Sequence, residues 1–496
     1  MNMHKTVWSS MMALAVTTMS GGFASANDAT GRVTFTKDVL PILQENCQVC
    51  HRAGGSNLGG MIAPMAFTSY KEVRPWAKAI AKEVEAKNMP PWDASPEYHG
   101  IFKNERTITE DEIATIVKWA NTGAVRGDLK DAPEPVDFPD TGGWQIGEPD
   151  LVVQMPEAYF VEDDVVDQYV NFVTELTDEQ LSEDRFVKAV EFRPGSTAVH
   201  HIISNPLGGI APGNDPTVFE DNYYQILNQG AEVSFEMHYH KEPGPGTGVW
   251  DQSSAAIKFY PKDAKPEHQI RMALMGHQNF SIPAGDANYE ASYHEAFERD
   301  IEILSFTPHM HLRGKSASYS VEQADGTLKP LLDVPGYDFN WQTNYEYAEH
   351  PIVKAGTNIH VTLAWDNSAT NPSNPDPTRS VEFGEPTTDE MMFGFMRYAY
   401  LEEPKVMKLS TEQLNEYVGT YAFSETDEMN FVLKGNTLMG KSTQSPSFPL
   451  TPDSKDRFVF AMVNLIVEFE RDENGELSAM EITFQDDVDR AIKVNK

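Results

Sequence analysis

The sequence predicts a multidomain chain in which helices come first and β-structure fills the rest. Three observations predict it. Near the N-terminal end apolar residues recur at spacings of three and four. Beyond about residue 144 they fall in short β-type runs separated by Pro, Gly, Asn and Asp. Between the two, Leu129 to Thr141 is rich in proline and aspartate, the composition of a semi-rigid linker. A length of 496 residues with 40 % hydrophobic content supplies material for three or four cores.

The first 26 residues read as a secretory signal peptide. Lys5 precedes an apolar stretch from Met11 to Met19, and Ala24, Ser25 and Ala26 form an A-x-A cleavage site. The expected location is therefore periplasmic or secreted. No later segment reaches the roughly 18 apolar residues of a membrane-crossing helix, so no transmembrane segment is expected. The formal charge of −36 argues against nucleic acid and anionic membrane surfaces as partners.

Residues 32–128 are expected to be helical. Val73, Trp76, Ile80 and Val84 mark one buried helix face, and Thr109 with Glu112 makes a capping box ahead of Ile113, Ile116, Val117 and Ala120. The only two cysteines of the chain, Cys47 and Cys50, stand directly before His51. C-x-x-C-H reads as the attachment site of one covalent haem c: two thiols form thioethers and His51 becomes the proximal ligand. A disulfide over two intervening residues leaves His51 without a role, and zinc lacks further cysteines. Helices around such a site describe an all-α c-type cytochrome domain. Met89 precedes Pro90, Pro91 and Trp92, and the prolines fix a loop able to present its thioether to the iron. Met61 and Met65 are rivals for that position. The stretch resembles bacterial cytochrome c domains with a Met-Pro-Pro-Trp loop, which favours Met89.

After a linker at 129–143 come residues 144–283 and 284–405, with strand-like runs such as Phe186 to Phe192, Glu232 to Tyr239, Ile301 to Phe306 and Asn358 to Trp365. Many short strands argue for β-sandwiches. Residues 410–496 are again β-rich, with Asn474 and Gly475 as a hairpin turn, and contain no histidine. The Tyr417-to-Tyr421 string resembles small β-barrel domains appended to secreted bacterial enzymes, and this part is expected to make packing or partner contacts.

The central region holds His200 with His201, His238 with His240, and His309 with His311, followed by Asp389, Glu390, Met391 and Met392. Residues two apart on a strand share a face, so His238 and His240 can point together, as can His309 and His311. Adjacent His200 and His201 point apart unless the strand is bulged or ends there. Four motifs in this order resemble the copper type II, ascorbate-dependent monooxygenases, the family of peptidylglycine α-hydroxylating monooxygenase and dopamine β-hydroxylase. The resemblance spans roughly Trp144 to Glu403 and implies two jelly-roll-like copper β-sandwich domains. It implies one copper on His200, His201 and His238 that stores an electron, and a second on His309, His311 and Met391 that binds dioxygen and hydroxylates the substrate. Imidazole suits copper in both oxidation states, and a thioether favours the reduced ion. His240 is a ligand, an outer hydrogen-bond partner or merely polar, and Met392 is the neighbouring alternative to Met391.

Thr307 stands where the peptide-amidating enzyme has a substrate-carboxylate arginine, and Phe393 and Phe395 replace polar pocket residues, so the expected substrate is a small apolar or aromatic molecule. The resulting fold class is an all-α c-type cytochrome domain, two β-sandwich copper domains and a small C-terminal β-barrel-like domain. The expected function is an exported copper-dependent monooxygenase that uses O2, with electrons passing from an external donor, a periplasmic redox protein or a quinol-linked chain, through the haem. The alternative is an electron-transfer or copper-binding protein without oxygenase activity, distinguished by the lack of a substrate-sized cleft between the copper sites.

Overall fold

The computed structural model describes residues 32–52, 65–138, 143–212, 214–405, 407–424, 426–442, 447–461, 463–484 and 487–494. The expected signal peptide at 1–26, Met61 and residues 139–142 of the expected linker lie outside the described residues. The described residues are mostly β, with 41 % of them in strands and 12 % in helices. No helix among the described residues is long and apolar enough to cross a membrane.

These proportions overturn the all-α cytochrome domain expected over 32–128. The helices there are short: Leu40–Asn46, Ala77–Glu85 and Glu110–Asn121 hold 7, 9 and 12 residues. Phe35, Leu43, Val73, Ile80, Val84, Ile116 and Trp119 do form a small common core. The chain after Met89, however, leaves it for the β-structure. Ala94 and Phe102 belong to the core of the second sandwich, with Trp92 and Tyr98 packed against it. Trp92 meets Tyr345 edge-on at 5.0 Å, Phe102 bridges Tyr347, and the backbone N–H groups of Ser95 and Lys103 donate to Asp333 and Glu346. The physical reason is the shortness of the helices, which cannot cover these aromatic side chains, whereas a sheet edge can. The expected helix face is also interrupted. Pro75 places Arg74–Trp76 in a single 3₁₀ turn, and Trp76 ends up exposed. The capping box at Thr109 and Glu112 is formed, and Gly123 follows the helix with φ at 102°.

Asp93 is drawn into the same seam. Burial, together with Asp338 nearby, pushes its carboxyl up to about 7. The folded chain therefore holds this proton more tightly than the unfolded chain does. The resulting stability is full below about pH 4 and is lost as pH rises through 7. Asp93→Asn is expected to remove that loss and to raise stability at pH 8 by about 2 kcal/mol, with no gain at pH 4, as read by urea denaturation at the two pH values.

The first sandwich packs a four-stranded sheet against a six-stranded one. The four strands run in the order Asp167–Glu175, Glu232–His240, Val199–Ser204 and Gly208–Ile210, and the larger sheet is built around Arg185–Arg193 and Ser254–Phe259. Val187, Val190, Phe235, Met237 and Ile257 fill the space between the sheets. In the second sandwich Arg271–Gly276, Phe393–Tyr400 and Ile301–His309 pair in one sheet, and Tyr289–Ala296, Asn358–Trp365, Gly314–Glu322 and Leu328–Val334 form the other. Ile303, Phe306, Tyr319, Val361 and Trp365 lie between them.

Eight strands from Gly419–Ala422 to Asp487–Val494 close into a barrel filled by Tyr421, Phe431, Phe458 and Phe469. The barrel docks on the first sandwich through Lys434, which pairs with Glu175 and Glu232, and through the N–H of Ser447, which donates to Glu232. Glu232 opens the strand that carries His238, so the barrel anchors the far end of a site strand.

Candidate metal centre

The strands Val199–Ser204 and Glu232–His240 lie side by side with His201 opposite His238, and the register shifts between Val199 and His201. That irregularity is what adjacent histidines need in order to face one way. His200 Nδ1 lies 3.3 Å from His201 Nδ1, and His238 Nδ1 is 3.3 Å from the same atom. Among the described residues, these three are the His, Cys, Asp and Glu side chains whose ligand atoms all fall within 4.8 Å of one another. All three are buried. Burial, with the other histidines next, lowers His200 to about 3 and holds His201 well below its usual value; burial also lowers His238 against the pull of Asp167. At neutral pH the rings are uncharged, so their lone pairs are free to bind a cation.

Three nitrogens crowded together cannot satisfy one another as donors and acceptors in full, and a cation at the centre would. Two features fix the geometry this requires. Asp167 Oδ1 lies 2.5 Å from His238 Nε2, which leaves Nδ1 for the cluster. Tyr169 stacks on the His238 ring at 4.3 Å and 6°. Phe339 stacks on His200 at 5.0 Å, and His200 Nε2 has no hydrogen-bond partner in its buried position. His240 is exposed; its Nδ1 is 3.7 Å from Asp167 Oδ1, so it flanks the carboxylate.

The second set grows from the end of Ile301–His309. His309 Nδ1 is 2.9 Å from Gln342 Oε1, and His311 Nδ1 is 3.2 Å from the Asp389 carbonyl, so both rings keep Nε2 uncommitted. Burial lowers His309 to about 4 and His311 to about 3. The backbone N–H groups of His311 and Arg313 donate to the two oxygens of Glu390, at 2.8 and 2.7 Å, and Trp365 Nε1 adds a third bond at 3.0 Å. The neighbouring methionines are separated by burial. Met392 is wholly inside the sandwich core, while Met391 is half-buried, and the ring of Phe393 next along the chain stacks on His309 at 6.3 Å. Gly276 permits this packing, because a Cβ there would come 1.9 Å from the Met392 carbonyl oxygen.

The two histidine sets are contiguous. His201 and His309 ring centroids are 6.2 Å apart, and Phe339 stands within 6.4 Å of His200, His238 and His311. Phe339 thus packs against rings of both sets.

At the other candidate site the helix Leu40–Asn46 ends at Cys47. The N–H groups of Cys50 and His51 donate to the Cys47 carbonyl, which sets the two free thiols on one turn. Burial raises both thiols, Cys47 to about 12. His51 stacks on Phe67 at 4.2 Å and directs Nδ1 at the Met65 carbonyl, leaving Nε2 uncommitted. Met89 lines a cavity of about 430 Å³ with Val84, Trp92, Arg106 and Ile113. Arg106 in that wall pairs with Asp215 and acts electrostatically on Cys50. The free thiols and the available imidazole nitrogen are the attachment and ligand atoms that a covalent haem requires, while none of Cys47, Cys50 and His51 lines the cavity that Met89 faces.

Asp167, Gln342, Phe339 and Thr387 carried no signal in the sequence, because each reaches the histidines from a distant strand or loop. Glu390 had one: it stands beside Met391 in the string from Asp389 to Met392. Residues 403–494 match the family described as Domain of unknown function (DUF3471), a span that holds the barrel and none of the histidines. No curated protein matches the chain.

Proposed function

We propose that this chain is an exported copper-dependent monooxygenase that hydroxylates a carbon–hydrogen bond of a small apolar or aromatic molecule with O2. The observation that carries the reading is the convergence of three neutral imidazole Nδ1 atoms beside a second histidine pair with Nε2 uncommitted and Met391 on the adjoining loop. Copper bound by imidazole and thioether donors supplies one-electron chemistry and, when reduced, reactivity toward dioxygen. Overall, substrate C–H, O2, two electrons and two protons give C–OH and water. Cys47 and Cys50 would hold a haem covalently, with His51 and, as candidate, Met89 as its ligands, and the haem would supply the relay from an external donor, a periplasmic redox protein or a quinol-linked chain.

The protein's own residues have distinct tasks in this reading. His200, His201 and His238 hold one ion, and His309, His311 and Met391 the other. Asp167, Gln342 and the Asp389 carbonyl hold the rings in the ligating tautomer. Phe393 and Phe395 present apolar surface beside His309, which suits an apolar substrate. A second reading, a copper-holding or electron-transfer protein, is favoured by the packing of Phe339 against rings of both sets.

Metal analysis combined with single-turnover oxygen consumption separates the two. The reduced parent is expected to hold two coppers and one haem and to consume oxygen in a single turnover, and Met391→Ile to lose that consumption while retaining the first copper. Zinc in place of copper, or oxygen uptake unchanged in Met391→Ile, contradicts the monooxygenase reading. Two tightly held coppers with no uptake in the parent favour the second.

A further inference from the structure

The two histidine sets are joined by a hydrogen-bonded link across the seam between the sandwiches. Asp167, on the strand Asp167–Glu175 of the first, sits between them. Its Oδ1 lies 2.5 Å from His238 Nε2. Its Oδ2 accepts from the Thr387 hydroxyl at 2.8 Å and lies 3.4 Å from the Thr387 N–H. Thr387 is buried and belongs to the second sandwich's loop at 384–391.

The residues directly after Thr387 support the second set. The Thr388 carbonyl accepts from Arg313 Nη1 and from Arg379 Nη2. The Asp389 carbonyl meets His311 Nδ1, Glu390 holds the His311 backbone, and Met391 comes next. Five consecutive residues thus connect a carboxylate touching one histidine set to the ring and main chain of the other.

We propose that Asp167 and Thr387 couple the two centres, so that an ion on His200, His201 and His238 orders the 384–391 loop and with it His311 and Met391. The inference rests on the reading of the first histidine set as a metal centre. An ion at His238 Nδ1 draws electron density from the ring and makes its Nε2–H a stronger donor to Asp167. The carboxylate is then held in one position for Thr387, and the loop loses freedom. Coupling of this kind is reciprocal, so an ordered loop also favours the ion at the first centre. Asp167 and Thr387 are positioning residues here, since neither supplies a ligand.

The test is amide hydrogen exchange of the full-length protein carrying His309→Ala, which disables the second centre, measured without metal and with one equivalent of cuprous ion. Loading is expected to slow exchange across Thr387–Met391 by about five-fold or more, the lower end of usual coupling strengths. Adding Thr387→Val should reduce the slowing below about two-fold, and Thr387→Ser, which keeps the hydroxyl, should restore it. If the slowing persists unchanged in Thr387→Val with copper bound, the coupling is refuted while the metal reading stands. If metal analysis finds no copper retained, the metal reading itself fails and the coupling with it.

Discussion

Glu390→Ala is expected to destabilise the second sandwich by about 3–5 kcal/mol, since it strands three buried N–H donors at roughly 1–3 kcal/mol each. Glu390 and Arg313 are both fully buried, with Arg313 Nη1 4.0 Å from Glu390 Oε1. The substitution strands two backbone N–H groups, the Trp365 indole N–H and part of the guanidinium away from water. Arg313 retains Asn367 Oδ1 and the Thr388 carbonyl, which keeps the loss within that range. Glu390→Gln retains acceptor capacity on one oxygen and should cost less than half as much. Chemical denaturation followed by tryptophan fluorescence reads the difference directly, since Trp365 donates to the carboxylate being removed. Equal losses in the two variants would show that the carboxylate charge, and not its hydrogen bonding, holds the loop.

His201→Ala is expected to abolish tight metal binding at the first set. Its Nδ1 is the shared neighbour of the other two, so its removal leaves two imidazoles with no common centre. The loss should exceed the 10–100-fold that a supporting outer residue is worth. Copper content measured after exhaustive dialysis should fall from two ions to one. His240→Ala provides the contrast: the side chain is exposed and flanks Asp167, and the full content should be retained. A two-copper His201→Ala protein would move the site away from this cluster.

The site was more legible in the sequence than the fold around it. Histidine pairs at strand spacing stand out, and three of these histidines do converge. The shared face of His200 and His201 was readable only as a condition on the strand, because a register shift depends on how the partner strand is pulled. Asp167 was invisible, since an aspartate in a chain with 75 acidic residues carries no mark of its partner. The helical domain misled for a different reason. Local periodicity reports which faces are apolar but not what covers them, and Trp92, Ala94 and Phe102 are covered by strands more than 200 residues downstream.

That long reach governs how the chain is made. Phe102 and its partner Tyr347 are 245 positions apart. At roughly 5–20 residues per second, the ribosome needs about 10–50 s to go from one to the other. Through that interval the segment around Trp92 has no permanent partner, and its aromatic surface is open to whatever accompanies the nascent chain. The N-terminal part is accordingly no cassette that could be exchanged between proteins by cutting at the proline-rich linker. The stretch from Trp92 to Lys103 finds its place only once Asp333 and Tyr345 to Tyr347 have been made.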